Sequence, residues 1–153
     1  MDQAIITAPF GQLRLTADAD HLIGIEFLLE RVPLKKANTP ILKETEAQLT
    51  AYFKNPRHVF DLPMKLDGTP FQQRVWKALC GIPAGTPLTY GQLATKLNTA
   101  ARAIGGACGA NPIPVIVPCH RVVSASGIGG FMKTRYLGPL NIKSWLLAHE
   151  RAP

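Results

Sequence analysis

Acidic side chains are almost missing from the second part of this 153-residue chain: residues 66–153 hold two, Asp67 and Glu150, against nine lysines and arginines. Residues 1–65 carry eight of each sign, so the whole net charge of +7 falls on the second part. Such a one-signed surface suits a polyanionic partner, because each phosphate contact releases condensed counterions with little regard to base sequence. A solvated basic face is the plain alternative, and charge by itself does not choose. Cysteine is scarce as well. Cys80, Cys108 and Cys119 form no pairable set and no Cys-x-x-Cys, which argues against a disulfide framework or a zinc ribbon and for a reducing compartment. The four histidines, His21, His58, His120 and His149, show no metal-ligand spacing, and neither a metal nor a cofactor is implied. Apolar runs stay well short of the roughly 20 residues that span a bilayer. The start, Met1-Asp2-Gln3-Ala4, lacks a basic region followed by an apolar one. The chain reads as soluble, cytoplasmic and free of membrane partners, with 46% hydrophobic residues, enough for a packed core.

What is present divides at Asp67-Gly68, giving an expected domain at 1–67 and a second at 68–153. In the first, Leu13 and Leu15 alternate with polar neighbours, as do Ile23, Ile25 and Phe27, with turn signals between them. This predicts an antiparallel meander. Thr39-Pro40 supplies a cap and a first-turn proline for a helix carrying Leu42, Thr45, Leu49, Tyr52 and Phe53, ending near Asn55-Pro56. A short strand is expected at Val59–Leu62. In the second domain Thr69-Pro70 repeats the start signal before Phe71, Val75, Trp76 and Leu79, a helix whose Trp76 reads as core. Gly81–Pro87 is a loop, and Thr89 with Gln92 has the capping-box spacing for a short helix through Leu97. After Asn98-Thr99 a second helical stretch runs from Ala100 to about Ala110, where Asn111-Pro112 stops it. Two short helices and a tight turn in a basic setting make a helix-turn-helix candidate.

That second helix has little bulk: Ala100, Ala101, Ala103, Gly105, Gly106, Ala107, Gly109 and Ala110 surround one charge, Arg102. Glycine weakens a helix by about 1 kcal/mol relative to alanine, so its use here needs a reason. Either the helix packs closely on a neighbour, or it lies against a nucleic-acid groove with Arg102 reaching the space of a displaced base.

Pro118-Cys119-His120-Arg121-Val122 follows the apolar run Pro114–Val117. A cysteine is a strong nucleophile as thiolate, and histidine is the side chain suited to take its proton near pH 7. Buried inert cysteine is the alternative, and on a strand the two side chains would diverge. Pro118, lacking a donor, is expected to end a strand there, after which a turn lets both face one cavity. Asn141–Glu150 reads as a closing helix, and Glu150 either reaches His120 and orients it or ends the helix exposed.

The Tyr90 helix, Ala-Ala-Arg102-Ala, Asn111-Pro112, Pro-Cys119-His-Arg-Val and Trp145-Leu-Leu-Ala-His-Glu150 together resemble the O6-alkylguanine-DNA alkyltransferases, over about Thr69–Glu150 in order. The resemblance implies an α/β (α+β) fold, with a small RNase H-like antiparallel sheet and helix first and a mainly helical domain with the helix-turn-helix second. It implies direct repair without a cofactor, in which a monomer bound in the minor groove of double-stranded DNA moves the alkyl group of O6-alkylguanine, and of O4-alkylthymine, once and irreversibly onto Cys119. His120 would deprotonate the thiol through a water, held by Glu150, while Tyr90 protonates the guanine and contacts the rotating phosphate. Arg102, Thr89, Ala100, Ala101, Gly105 and Gly106 would meet DNA. Asn111 would be the hinge to an active-site strand, and backbone at Cys119 and Val122 would read the base. Val122, Phe131, Met132 and Tyr136 would line the pocket, with Phe131 as lid aromatic and Tyr136 its rival. The loop Gly129–Gly138 looks several residues longer than the family's. The competing readings are a damage sensor that binds alkylguanine without transfer, against which Cys119 speaks, an unrelated thiol hydrolase, and a helix-turn-helix regulator.

Overall fold

The structure, a computed structural model, describes residues 1–129 and 137–151, and the side chains of all of these but 137–140. Two compact units follow one another, Met1–Leu66 and Asp67–Pro153.

In the first unit β1 (Asp2–Ala8), β2 (Gly11–Ala17) and β3 (Leu22–Leu28) form an antiparallel meander in that order. Period-two alternation turns Ala4, Ile6, Ala8, Leu13, Leu15 and Ala17 to the buried face. The alternation foreseen for β3 is broken by an irregularity: Ala17 pairs with Leu22 and Thr16 with Gly24. Ile23 is the extra residue, so Leu22 and Ile25 are buried and Ile23 is only half-buried. Helix α1 (Pro40–Lys54) covers the sheet with Ile41, Leu42, Thr45, Leu49 and Tyr52. Thr39 caps it by accepting from the Leu42 amide, and Asn55 ends it. The strand expected at Val59–Leu62 is not formed. There the backbone of Asp61 is taken by a side chain, Gln48, which accepts from its amide and donates to its carbonyl, both at 2.9 Å. Pairing with β3 is confined to a bridge between Leu22 and Met64, next to Pro63, which has no donor to extend it.

The second unit runs α2 (Pro70–Cys80), β4 (Leu88–Thr89), α3 (Tyr90–Leu97), α4 (Ala101–Gly109), a 3-10 turn (Cys119–Arg121), β5 (Val122–Val123) and α5 (Leu137–Arg151). The capping box predicted for Thr89 with Gln92 forms, and Thr69, expected as a cap before Pro70, makes a second one with Gln72. Trp76 is core: 1% exposed, its indole N–H donates to the Ala107 carbonyl at 2.9 Å, tying α2 to α4. Gly68 is required beside it, since a Cβ there would lie 2.5 Å from the indole. Asn98 closes α3 in the left-handed conformation at φ 55° and turns the chain into α4, completing the helix-turn-helix. The mixed α/β class holds, with the three-stranded sheet in the first unit and a two-stranded parallel pair, β4 and β5, in the second.

The run before Cys119 departs from expectation: Pro114–Val117 is a buried turn, not a strand. The Val117 amide donates to the Ile113 carbonyl at 2.9 Å, and Val115 sits at φ 74°. This costly region for a β-branched residue is maintained by complete burial of the turn. Helix α5 starts at Leu137, earlier than Asn141, so part of the supposed long loop is helix.

Candidate active site

The site grows from the end of α4. Asn111, 3% exposed, donates from Nδ2 to the Val117 carbonyl at 2.8 Å and accepts at Oδ1 from the Ile113 amide at 2.9 Å. One side chain therefore closes the turn that delivers Cys119. The Cys119 amide donates to Val117 O at 2.8 Å, and the 3-10 turn places the thiol, His120 and Arg121 in succession before β5 locks Val122 beside Leu88. Cys119 is 3% exposed and His120 fully buried.

Glu150, on the last turn of α5 and 1% exposed, is not a frayed helix end. Its Oε2 lies 2.8 Å from His120 Nε2. Arg121 donates to both of its oxygens, from Nε and Nη2 at 2.9 Å each, and its Nη1 donates to the Ile82 carbonyl at 2.6 Å. A buried carboxylate so forked is satisfied. With the Glu150 carboxylate accepting, Nε2 carries the proton and Nδ1 keeps its lone pair. Nδ1 is buried and has no hydrogen-bond partner among the described residues. Burial holds the imidazole below its usual proton affinity, opposed by Glu150, which leaves it neutral and able to accept. Burial likewise pushes the Cys119 thiol up to about 11, against the lowering effects of Asn111 and Lys143. At rest the sulfur is a thiol, and it becomes a nucleophile when its proton is taken.

Two participants escaped the sequence reading. Arg121 was seen only as part of a motif. Lys143 was not considered, although 143, 146, 147 and 150 recur at helical spacing and share the buried face of α5. Lys143 is 0% exposed, its Nζ donates to the Val122 carbonyl at 2.8 Å, and the ammonium lies 5.7 Å from the centre of the Tyr90 ring. Tyr90 opens α3, and Gly129, at φ 75°, lets the chain approach its ring so closely that a Cβ would stand 2.9 Å from it. Of the three thiols, Cys108 is buried with Cys119 and Lys143 near it, whereas Cys80 is exposed.

The other predicted residues form a separate face. Ala100, Ala101, Arg102 and Gly106 are exposed along α4, and Gly105 is half-buried. A Cβ added to Gly105 or Gly106 would meet nothing within 4 Å, so packing inside the protein does not demand these glycines. The Thr89 hydroxyl oxygen accepts the Gln92 amide in the α3 cap, a bond that does not use its O–H. Val122 is fully buried with its carbonyl toward Lys143. Phe131, Met132 and Tyr136 lie outside the described residues.

Comparison with known proteins matches both units. Residues 2–66 fit the family model of the 6-O-methylguanine DNA methyltransferase ribonuclease-like domain, and residues 70–152 that of the 6-O-methylguanine DNA methyltransferase DNA binding domain. A methylated-DNA–protein-cysteine methyltransferase of Methanosarcina mazei is 39% identical, covering 95% of this chain and 94% of the relative, and one of Mycobacterium bovis is 41% identical, covering 96% and 90%. The crystal structure of Mycobacterium tuberculosis O6-methylguanine methyltransferase superposes with a TM-score of 0.83 at 39% identity over 99% of this chain and 94% of that one. That organism's OGT in complex with DNA gives 0.79 at 40%, over 96% and 91%.

Proposed function

The chain belongs to the 6-O-methylguanine DNA methyltransferase family, and from that premise we propose that Cys119 is the acceptor, His120 its base, Glu150 the group that orients the base and Tyr90 the acid. The protein repairs DNA by direct reversal, as a methylated-DNA–protein-cysteine methyltransferase that takes the alkyl group onto one of its own cysteines.

The observation that carries the assignment is the buried imidazole with Nε2 fixed on Glu150 and Nδ1 left as the basic atom, in the residue next to a buried thiol. His120 takes the Cys119 proton through a water, the sulfur attacks the saturated alkyl carbon, and the C–O6 electron pair stays with guanine as Tyr90 supplies a proton. A soft thiolate suits that carbon, and a neutral phenol with an ordinary pKa near 10 suits the departing base. The thioether has no easy leaving group, so each molecule acts once, with no cofactor.

The substrate is O6-alkylguanine, with O4-alkylthymine a second, in duplex DNA. The bulk-free face of α4 enters the minor groove, Gly105, Gly106, Ala100 and Ala101 allow close approach, and Arg102 fills the space of the flipped base, with Thr89 and Tyr90 at the phosphates. The open space over Gly105 and Gly106 supports this reading. Asn111 is the hinge of the turn, and Val122 and Cys119 backbone read the guanine edge. Residues 68–153 form the DNA-binding and transfer domain and 1–67 a separate α/β domain. The protein acts in the cytoplasm as a monomer; among the described residues no helix is long and apolar enough to cross a membrane. Incubation with a duplex holding O6-methylguanine should add one methyl to the protein, on the peptide with Cys119. Equal transfer by Cys119→Ser would overturn the assignment.

A further inference from the structure

Cys108 is a second buried thiol to which the transfer scheme gives no task, and it shares the buried face of α4 with Ile104 and Ala107. Asn111 ties its backbone to that of the acceptor. The Asn111 amide donates to the Cys108 carbonyl at 3.2 Å, and the Asn111 side chain donates at 2.8 Å to the Val117 carbonyl, which also accepts from the Cys119 amide. The chain between the two cysteines therefore folds back over one buried turn. The two residues are 7% and 3% exposed, and both sulfurs lie within electrostatic reach of the Lys143 ammonium, as Cys108 does of Cys119. Cys80, by contrast, is exposed, and the charge it feels is that of Arg121.

Two thiols held together inside one protein allow an oxidised cysteine to be recovered. The sulfenic acid formed on one is taken by the other as a disulfide, before it advances to the irreversible sulfinic acid. For a cysteine that acts once, irreversible oxidation removes the whole molecule from use. We propose that Cys108 is the resolving thiol of Cys119, closing a reversible disulfide with it when a peroxide reaches the site in place of an alkylated base. The inference rests on the assignment of Cys119 as acceptor and His120 as its base, because the proton transfer that arms the sulfur for an alkyl carbon arms it equally for a peroxide oxygen.

In the first step the Cys119 thiolate attacks one oxygen of hydrogen peroxide and the O–O bond breaks. The hydroxide that leaves takes the proton held by His120 and departs as water, so the sulfur loses two electrons and the peroxide gains them. In the second step the Cys108 sulfur attacks the sulfenic sulfur of Cys119 and the S–O bond breaks, the leaving hydroxyl taking the Cys108 proton as a second water. Two thiols and one peroxide thus give one disulfide and two waters. Burial pushes the Cys108 thiol up to about 12, opposed by the Lys143 charge, and no base stands next to it in sequence. Cys119, beside His120, is therefore the sulfur that peroxide meets first.

The test treats the full chain, free of added thiols, with about a tenfold excess of hydrogen peroxide, blocks the remaining thiols with an alkylating reagent and maps the peptides by mass spectrometry. The parent should yield a linked peptide joining Cys108 to Cys119, and after dithiothreitol it should regain at least about 80% of its methyl transfer from O6-methylguanine duplex. Cys108→Ala, equal to the parent before oxidation, should carry sulfinic acid on Cys119 and regain less than about 30%. Protein methylated on Cys119 beforehand should form no such link. A parent without the link, a link from Cys119 to Cys80 in its place, or equal recovery by Cys108→Ala overturns the proposal. Should Cys108→Ala not fold, the linked peptide of the parent decides alone. Failure of the underlying assignment shows differently, as a parent protein that gains no methyl on Cys119 before any peroxide is added.

Discussion

Glu150 carries the sharpest prediction at the scale of single residues, because one carboxylate serves both His120 and Arg121. Glu150→Gln keeps the shape and removes the charge. The Arg121 guanidinium, 13% exposed, is then left with an amide, and breaking such a pair should cost about 3 kcal/mol, read as a lowered melting temperature. Transfer to the cysteine should slow by about 100-fold or more, as for other bases that lose their orienting carboxylate. The sign of the pH effect follows from the opposed influences on His120: burial lowers its proton affinity and Glu150 raises it. Without Glu150 the rising limb of the rate–pH profile moves to lower pH while its plateau falls. An unchanged plateau would remove Glu150 from the mechanism. At this scale the adjacent thiol and imidazole were legible in the sequence, because Cys-His side by side is local chemistry. The charge that neutralises Glu150 was not, because Arg121 and Glu150 are brought together by a helix 29 positions away, and no local pattern records such a distance. Lys143 was hidden for the opposite reason: lysine is so seldom fully buried that its place on the apolar stripe of α5 was passed over.

Elements were legible where side chains write the boundary. Thr39-Pro40, Thr69-Pro70 and Thr89 with Gln92 start their helices as read, since a cap is made by residues two or three positions apart. Elements failed where the backbone found partners from elsewhere. Gln48 occupies Asp61 and prevents the strand at 59–62, and Asn111 folds Pro114–Val117 into a turn whose apolar residues suited a strand equally well. The glycines of α4 are the element whose composition runs against its own stability, and the open space over Gly105 and Gly106 makes this testable. Gly106→Ala should stabilise the protein by about 0.5–1 kcal/mol, seen as a higher melting temperature, since helix propensity improves and nothing is struck. Gly106→Leu should fold as well as the parent and react unchanged with free O6-benzylguanine, yet repair duplex DNA at least about tenfold more slowly, because its side chain fills the gap the groove wall needs. Equal rates on both substrates would mean that α4 does not approach DNA.

Charge belongs to the whole molecule, and its division is visible in sequence before any fold is known: the first 65 residues balance, and the rest hold all the excess. Structure refines the count. Of the nine cations after residue 65, Arg121 is committed to Glu150 and Lys143 is buried, which leaves Arg74, Lys77, Lys96, Arg102 and Arg151 exposed among the described residues. They belong to α2, α3, α4 and α5. If three engage phosphates, log K for undamaged duplex should fall with log salt at a slope of about −2.7, at about −0.9 per phosphate contact. Anisotropy titrations between about 50 and 300 mM potassium chloride measure it. Arg102→Ala separates two roles: a phosphate ligand would lower the slope by about 0.9 when removed, whereas a side chain standing in for a flipped base would leave the slope and slow transfer in duplex DNA. The insertion reading therefore expects an unchanged slope with slower repair. A slope near zero for the parent would make the basic excess a solvated surface and take from it any part in finding DNA.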